Sequence, residues 1–399
     1  MSTHSYPLGR YGPQQRSAWH RLTARGSVAW RLDWPMLLAA SALSAIGGLL
    51  VWSATRNRTE INQGDPQYFL LRHILFFAIG LALMGGTIWL GHRRLRGAVP
   101  VLYGVSVLLA LLVLTPLGAT INGQRAWIQL GAGFSIQPAE FIKITVILGM
   151  AMLLAARVDA GDRDYPDHRT VMQGLGMAAG PIAVIMLMPD LGSVMVLVVI
   201  VLGVLLASGA SNRWIVGLVT AGAGGAVAVW MLGVLDEYQI NRFAAFANPA
   251  LDPAGVGYNT NQARIAIGSG GLGGKGLFEG TQTTGQFVPE QQTDFIFTVA
   301  GEELGFVGGG LIIALMGVVL WRACRIARET TELYGTIVAA GVIAWLAFQT
   351  FENIGMTLGI MPVAGLPLPF VSYGGTSMFA VWIAVGLLQS IKVQRPVSA

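Results

Sequence analysis

The sequence predicts an all-α polytopic membrane protein with about ten transmembrane helices, both termini in the cytoplasm and a large extracytoplasmic loop between helices 7 and 8. Three observations predict this fold. Charged residues make up 11% of the chain, against about a quarter in a typical soluble domain. Apolar residues gather in blocks of about 20, the length that crosses the hydrocarbon core of a bilayer. Most basic residues lie in the short segments between these blocks.

Ten apolar blocks predict the membrane spans. The first 33 residues are polar and Arg-rich and lack the apolar region and cleavage site of a signal peptide, so 1–33 are expected to be a cytoplasmic tail. The membrane domain covers 34–392, and 393–399 form a second cytoplasmic tail. The predicted spans are 34–55, 68–90, 98–114, 138–156, 171–188, 191–208, 214–235, 295–321, 333–359 and 377–391.

The basic residues indicate the orientation. With the N-terminus inside, 17 of the 25 Lys and Arg residues lie on the cytoplasmic side, as the positive-inside rule requires. The basic character of the chain therefore reflects orientation signals in short loops, and no nucleic-acid partner is expected. The segment 236–294 then lies outside. Its length and its aromatic and aliphatic content predict short interfacial helices and a site.

Ionisable residues in or beside the spans are candidate functional residues, because an ionisable group inside a membrane costs at least about 2.5–3.5 kcal/mol. Glu140 and Lys143 share one face at the start of the fourth span. They are interpreted either as part of a site or as a structural ion pair. Asp190 lies in a tight outer turn, where it can cap the next helix and also belong to a site on that surface.

The long outer loop supplies further candidates. Arg242, Arg264 and Lys275 are its cations, and they are expected either to bind phosphate or to lie beside lipid headgroups. Asp294 ends the loop at the membrane face. A partly desolvated carboxylate there can act as a general base, and an N-cap role is the structural alternative.

Other patterns have structural interpretations. Glu302 and Glu303 lie within predicted span eight, where at least one carboxylate must find a partner inside the protein, and packing is the favoured role. The segment 268–273 matches G-x-G-x-x-G, but no predicted strand precedes it, so a dinucleotide site is not expected. The five histidines are scattered and predict no zinc site.

Several motifs together resemble those of the SEDS family (RodA, FtsW and SpoVE). The resemblance runs in order from about residue 33 to 392, and the motif that contains Asp294 departs from the commonest family form only at Gln291 and Gln292. Within the family, 361–367 look more like RodA than FtsW. The motifs are Asn122-Gly123 with Trp127, Gln137-Pro138 with Glu140 and Lys143, Pro189-Asp190-Leu191-Gly192, Pro289-Glu290-Gln291-Gln292-Thr293-Asp294-Phe295, Glu302-Glu303-Leu304-Gly305 and Pro367-Leu368-Pro369-Phe370-Val371-Ser372-Tyr373-Gly374-Gly375.

The resemblance implies a peptidoglycan glycosyltransferase that polymerises lipid II into glycan strands at the outer membrane face during cell elongation. It implies that Asp294 is the catalytic residue, for which general-base chemistry is expected. Positive charge for the leaving pyrophosphate is expected from Lys143, Arg242, Arg264 or Lys275, with Lys143 and Arg242 as the predicted clamp. The substrate-binding candidates that fall on family positions associated with activity or with the cavity are Trp127, Glu140, Lys143, Asp190 and Arg242.

The implied partners are a class B penicillin-binding protein that crosslinks the strands, the substrates lipid II and undecaprenyl-pyrophosphate-linked glycan, and other membrane proteins of the elongation complex. No tightly bound cofactor is expected, although a divalent cation, Mg²⁺ or Mn²⁺, is an alternative source of positive charge for the pyrophosphate. Other interpretations are a lipid II flippase, a non-catalytic scaffold, and a division or sporulation paralogue of the same polymerase. Few charges lie at mid-membrane, which disfavours the flippase.

Overall fold

The computed structural model describes residues 28–121, 124–131, 134–160, 165–188, 190–231, 233 and 256–394, so most of the predicted tails 1–33 and 393–399 lies outside it. Within the described residues, ten helices of 17 or more residues occupy the positions of the ten predicted spans. The elements are α1 (Val28–Arg31), α2 (Trp34–Thr55), α3 (Tyr68–Leu90), α4 (His92–Val113), β1 (Gly118–Ile121), β2 (Gln124–Gly131), β3 (Phe134–Ile136), α5 (Pro138–Asp159), α6 (His168–Met186), α7 (Leu191–Ala207), α8 (Asn212–Met231), α9 (Val256–Ser269), α10 (Thr281–Thr284), α11 (Ile296–Glu303), α12 (Gly305–Arg328), α13 (Leu333–Leu358) and α14 (Gly375–Val393).

Seven of these helices are long and apolar enough to cross a membrane, namely α2 to α5 and α12 to α14, and α7 is a shorter apolar helix. Some of these helices begin at an aspartate that caps them. Asp33 accepts a hydrogen bond from the Met36 N–H at the start of α2, and Asp190 accepts one from the Ser193 N–H at the start of α7. The prediction of a polytopic helical membrane protein is confirmed.

The helices surround an irregular segment, 359–374, between α13 and α14. In the bundle α14 packs on α3, α13 packs on α5 and α7, and α12 packs on α2. The segment lies close to α7, because a Cβ atom at Gly192 would be only 2.7 Å from the Ala364 carbonyl oxygen. This segment carries one of the motifs singled out in the sequence.

A small sheet is the exception to the all-α prediction. Strands β1, β2 and β3 are antiparallel and neighbours in that order. The sequence does contain a hairpin signal, since Asn-Gly favours tight two-residue turns, but Asn122 and Gly123 lie outside the described residues. The Thr376 hydroxyl of α14 donates to the Ser135 carbonyl over 3.1 Å, which attaches the sheet to the bundle.

Predicted span eight, 295–321, is wrong as a single helix. It divides into α11 and α12 at Gly305, whose φ of 65° lies in the left-handed region that favours glycine. A Cβ atom there would also clash with the backbone of Gly274. Glu302 and Glu303 therefore end a short buried helix and do not lie deep in a membrane span.

The loop 271–276 fills the corner between α11 and α12. The N–H groups of Lys275 and Gly276 donate to the carbonyl oxygens of Glu302 and Glu303 at the end of α11, each over 3.0 Å. In the opposite direction, Phe306 and Val307 at the start of α12 donate to the carbonyl oxygens of the loop residues 271 and 272. The loop thus satisfies backbone groups that a helix end leaves without partners.

The long loop predicted to lie outside, 236–294, is described from residue 256. There α9 and α10 are the short helices expected in this loop. Ala263 and Ala266 of α9 are fully buried in a small apolar cluster with Val288, Phe295 and Met356. This cluster holds α9 beside the end of α13 and beside the residue that follows Asp294.

Candidate functional site

Asp294 lies in a tight turn immediately before α11. Its backbone N–H donates to the Glu290 carbonyl oxygen over 3.1 Å, and the residue is half-buried. Glu290 has a φ of 49°, and Phe370 in the facing segment has a φ of 67°. Left-handed conformations cost non-glycine residues about 1–3 kcal/mol each and gather at functional sites. Two such residues in facing motifs therefore support a site here.

Hydrogen bonds join this turn to the segment 359–374. The Tyr373 N–H donates to the Gln292 carbonyl oxygen over 2.9 Å, and the Ser372 hydroxyl donates to the Thr293 carbonyl oxygen over 2.5 Å. The Asn353 amide of α13 donates to the carbonyl oxygen of Asp294 itself over 2.7 Å. Three consecutive residues, 292 to 294, are thus fixed through their backbone, and their side chains need not serve as anchors.

The Asp294 carboxylate lies against a glycine. A Cβ atom at Gly365 would be 3.5 Å from Oδ2 of Asp294, and Gly365 has a φ of 71°. Glycine is the residue that adopts this conformation most easily, and Gly365 itself places no side chain beside the carboxylate. A half-buried carboxylate next to bare backbone is an arrangement that can accept a proton from a bound hydroxyl group.

Glu140 and Lys143 form a buried ion pair on α5. The Lys143 ammonium donates to Glu140 over 2.7 Å and to Gln349 of α13 over 3.0 Å, and it lies 4.7 Å from the centre of the Trp345 ring. The Lys143 side chain is 0% exposed and that of Glu140 is 1% exposed. Direct contact of Lys143 with an outer pyrophosphate is therefore not supported. The ammonium is buried, and the Glu140 carboxylate already neutralises its charge.

Asp190 caps α7, as its structural interpretation predicts. Its carboxylate accepts from the Ser193 N–H over 2.9 Å, from the Ser193 hydroxyl over 2.8 Å and from the Gln137 amide over 3.1 Å. The residue is 4% exposed. The Gln137 contact links the start of α7 to the start of α5, so Asp190 holds together two helices beside the site. Pro189, in the same motif, lies outside the described residues.

The predicted outer cations differ in their surroundings. Arg264 is exposed on α9, and a Cβ atom at Gly359 would lie 3.2 Å from its Cδ, so it borders the start of 359–374. Lys275 instead donates to Glu302 over 2.8 Å and to Thr281 over 2.7 Å. Its positive charge is already matched by a fully buried carboxylate. Arg242 lies outside the described residues.

Trp127 belongs to the sheet and not to the hydrogen-bonded turn. It is half-buried on β2, opposite Ala119 of β1. The sheet reaches the start of α14 through the Thr376–Ser135 hydrogen bond, and the Thr376 hydroxyl also accepts from the Gln137 N–H over 3.2 Å. The sheet therefore borders the same end of the bundle as Asp190 and Asp294.

The residues matched by a known family include all of these features. A family model described as a cell cycle protein, and named for FtsW, RodA and SpoVE, matches residues 33–396. This chain belongs to the FtsW/RodA/SpoVE family. It is thus a multi-pass membrane protein of the bacterial cell membrane, and the family that its motifs resemble is the family to which it belongs.

Individual members match over nearly the whole chain. Stage V sporulation protein E of Bacillus subtilis (strain 168) is 37% identical over 361 residues, which cover 90% of this chain and 96% of that protein. Peptidoglycan glycosyltransferase MrdB of Escherichia coli (strain K12) is 33% identical over 383 residues, 96% of this chain and 97% of that protein. A solved structure titled "Structural coordination of polymerization and crosslinking by a peptidoglycan synthase complex" contains a chain that is 30% identical, with a TM-score of 0.74, covering 90% of this chain and 97% of that one.

Two arginines of this FtsW/RodA/SpoVE chain reach the site without having been predicted there. Arg58, after α2, donates to Gln292 over 3.4 Å and to the Val288 carbonyl oxygen over 3.3 Å. Burial lowers the pKa of its guanidinium below the ordinary value, and the Glu290 carboxylate opposes that shift. No local spacing in the sequence indicates this contact, since Arg58 lies more than two hundred residues from the motif.

Arg72 of α3 is the second. Its guanidinium lies 4.4 Å from the centre of the Tyr68 ring and hydrogen-bonds the Tyr373 side chain. Burial raises the pKa of the Tyr373 hydroxyl above its usual value, against the lowering effect of Arg72. A charged residue inside a predicted span was the available signal, because such residues are functional by default.

Buried carboxylates on α11 are held by neighbours within the chain. Glu302 accepts from the N–H groups of Gln282 and Thr283, each over 2.8 Å, as well as from Lys275. Glu303 accepts from the Ser53 hydroxyl over 2.6 Å. These contacts agree with the packing role favoured for both residues. Among the described residues, no group of three or more His, Cys, Asp or Glu side chains is arranged to hold a metal ion.

Proposed function

We propose that this chain is a peptidoglycan glycosyltransferase that polymerises lipid II at the extracytoplasmic face, with Asp294 as the general base. The observation that carries the proposal is the placement of the Asp294 carboxylate, half-buried and 3.5 Å from the Cβ position of Gly365, in a turn fixed by hydrogen bonds to three successive backbone carbonyls. The name of the MrdB relative, a peptidoglycan glycosyltransferase, supports the reaction class.

The reaction needs a base. The 4-hydroxyl of the acceptor lipid II attacks C1 of the lipid-linked donor glycan, a new O–C1 bond forms, and the bond from C1 to the pyrophosphate oxygen breaks. Undecaprenyl pyrophosphate leaves with the bonding electrons. An alcohol has a pKa far above 7, so its proton must be taken up as the bond forms, and Asp294 accepts it. Inversion at C1 follows from direct displacement without a covalent enzyme intermediate.

The leaving pyrophosphate needs positive charge. Arg264 is the described cation that suits this role, because it is exposed beside the segment 359–374 and a guanidinium binds phosphate oxygens in a bidentate manner. Arg242 of the same loop is its proposed companion. A Mg²⁺ or Mn²⁺ ion carried by the phosphates is an alternative, since Mg²⁺ commonly binds one or two carboxylates together with substrate phosphates.

The proposed protein partner is a class B penicillin-binding protein. Its support is the structural neighbour, whose title describes coordinated polymerization and crosslinking in a peptidoglycan synthase complex. Other membrane proteins of an elongation complex are proposed on the RodA-like segment 361–367. The alternative is a division or sporulation role, and the support for it is the similarity to stage V sporulation protein E.

The test is polymerisation of purified lipid II by the purified chain, with and without its partner, in detergent. Glycan strands that depend on Asp294 are the expected product, and the partner is expected to raise turnover. A lipid II flippase or a scaffold would give no strands in this assay, because transport has no meaning without a bilayer. Absence of strands under conditions where the partnered complex is intact would overturn the proposed function.

A further inference from the structure

Two amide side chains of α13 lie between the buried ion pair and Asp294. Gln349 and Asn353 are four residues apart, so they share one face of the helix, and both are 0% exposed. Ionisable residues within a membrane span are recognisable as candidate functional residues, whereas neutral amides carry no such signal. A buried amide nevertheless requires partners, because an unsatisfied polar group costs about 1–3 kcal/mol.

Asn353 joins the catalytic turn to the irregular segment. Its Nδ2 atom donates one hydrogen bond to the Asp294 carbonyl oxygen and another to the Leu366 carbonyl oxygen, each over 2.7 Å. Both partners are carbonyls and can only accept, so this orientation of the amide is required. The two carbonyls belong to the residue that carries the base and to the neighbour of Gly365. Asn353 therefore connects the backbone of Asp294 to the backbone beside that glycine.

Gln349 makes the corresponding contact one residue further along. Its Nε2 donates to the Pro367 carbonyl oxygen over 2.8 Å. Its Oε1 accepts from the Lys143 ammonium over 3.0 Å and from the Trp345 indole over 2.7 Å. The ion pair of α5 is thus attached to the same stretch of backbone that Asn353 attaches to Asp294.

We infer that Asn353 and Gln349 are positioning residues for the reaction, which hold the Asp294 carboxylate in its working place through the carbonyl groups of Leu366 and Pro367. Lys143 acts through Gln349 and does not touch the pyrophosphate. This inference rests on the proposed function of Asp294. The ion pair of Glu140 and Lys143 thereby gains a role in turnover that is compatible with its burial. A phosphate clamp would need the Lys143 charge at the surface.

The inference separates binding from turnover. Neither amide is exposed, so their loss should leave substrate affinity nearly intact. Misplacement of a reacting group by about 1 Å can cost about 10²-fold in rate. A residue that acts only on the base should therefore lower kcat and leave KM for lipid II unchanged.

The experiment compares three variants of the partnered complex with the parent. Asn353→Leu removes the donor to Asp294 and Leu366 at similar volume. Gln349→Met removes the donor to Pro367 and the oxygen that accepts from Lys143 at similar length, and it cannot regain the donor by protonation, so it breaks the same connection. The matched control is Gln389→Leu. Gln389 is equally buried and binds the backbone N–H and carbonyl of Asp33 over 2.7 and 3.2 Å, at the opposite end of the bundle.

The expected result is that kcat falls about 10- to 10²-fold in both α13 variants, with KM for lipid II within about twofold of the parent. Gln389→Leu should lose thermal stability to a similar degree and keep its kcat. Parental kcat in a folded α13 variant would overturn the inference, and so would an equal loss of kcat in the Gln389 control. If Asn353→Leu does not yield a monodisperse complex, Gln349→Met alone decides by the same criteria.

The failure of the inference and that of the proposed function are distinguishable. An active parent, an inactive Asp294→Asn variant and fully active α13 variants would remove only the positioning role. A parent complex that makes no glycan strands would remove the glycosyltransferase assignment, and with it the positioning role that depends on that assignment.

Discussion

The Ser372 hydroxyl donates a 2.5 Å hydrogen bond to the carbonyl oxygen of Thr293, the residue that precedes Asp294. The same hydroxyl accepts from the Leu368 N–H over 2.8 Å. One small side chain therefore closes the turn of 368–372 and fixes the neighbouring motif against it. Two motifs that lie about eighty residues apart in the sequence become one structural unit, and the catalytic proposal concerns that unit.

Asp294→Asn should abolish polymerisation while the protein still folds and binds its partner. Asparagine keeps the size of the side chain, and the Asn353 contact is to the backbone, so the turn should remain. Loss of a general base lowers rates by about 10²–10⁴-fold. The measurement is strand formation from lipid II, with partner co-purification as the control. A stable variant that keeps more than about a tenth of parental activity would return Asp294 to a structural role.

Lys143→Met should reduce stability more than removal of the whole ion pair does. The single change leaves Glu140 as an unpaired buried charge, which costs about 3–5 kcal/mol. Lys143→Met combined with Glu140→Gln removes both charges, and its thermal unfolding midpoint in detergent should lie between those of the single variant and the parent. A single variant as stable as the parent would show that the charge on Glu140 is relieved in another way.

Arg264→Met and Lys275→Met should have different effects. Arg264 is exposed beside the segment 359–374, so its loss should lower turnover, by about 10²-fold if it stabilises the leaving pyrophosphate. Lys275 neutralises the buried Glu302, so its loss should lower the unfolding midpoint first. The assay measures turnover per folded complex, and Arg242→Met belongs in the same series. Parental turnover in Arg264→Met would remove that residue from the phosphate-binding site.

Cysteine labelling tests the predicted orientation. Cys324 is the only native cysteine, so Cys324→Ser supplies a clean background. A cysteine in place of the exposed Thr284, in α10, should react with an impermeant thiol reagent in intact cells. A cysteine in place of the exposed Thr331, between α12 and α13, should react only after the cells are permeabilised. The reverse pattern would invert the topology and place Asp294 on the cytoplasmic side.

The helices were predictable because apolar length is a local property. The predicted bounds 34–55 and 68–90 coincide with α2 and α3. The pairing of Glu140 with Lys143 was also accessible, since i,i+3 spacing places both side chains on one face. Capping by Asp190 followed from its place before an apolar run.

Other features depend on contacts between distant residues. Gly305 is a local sign of a helix end, but the loop around Gly274 that packs against it lies outside 295–321 and could not be read from that segment. Lys275 pairs with Glu302, which lies 27 positions away in the sequence. The sequence alone therefore predicts a cation that can bind phosphate, whereas in the structure Glu302 neutralises its charge. The amide of Asn353 carries no charge, so no sequence signal marks it, although it binds the backbone of the proposed base.

The corner between α11 and α12 constrains the order of assembly. The loop 271–276 is synthesised before the two helices whose backbone groups it satisfies, so it leaves the ribosome without its receptor. Its hydrogen bonds to the end of α11 can form first, and those from Phe306 and Val307 form only once α12 is in place. The support around Asp294 is completed later still, because Asn353 of α13 and Ser372 and Tyr373 of the segment 359–374 hold its turn, and a chain arrested before α12 would display the long loop without that support.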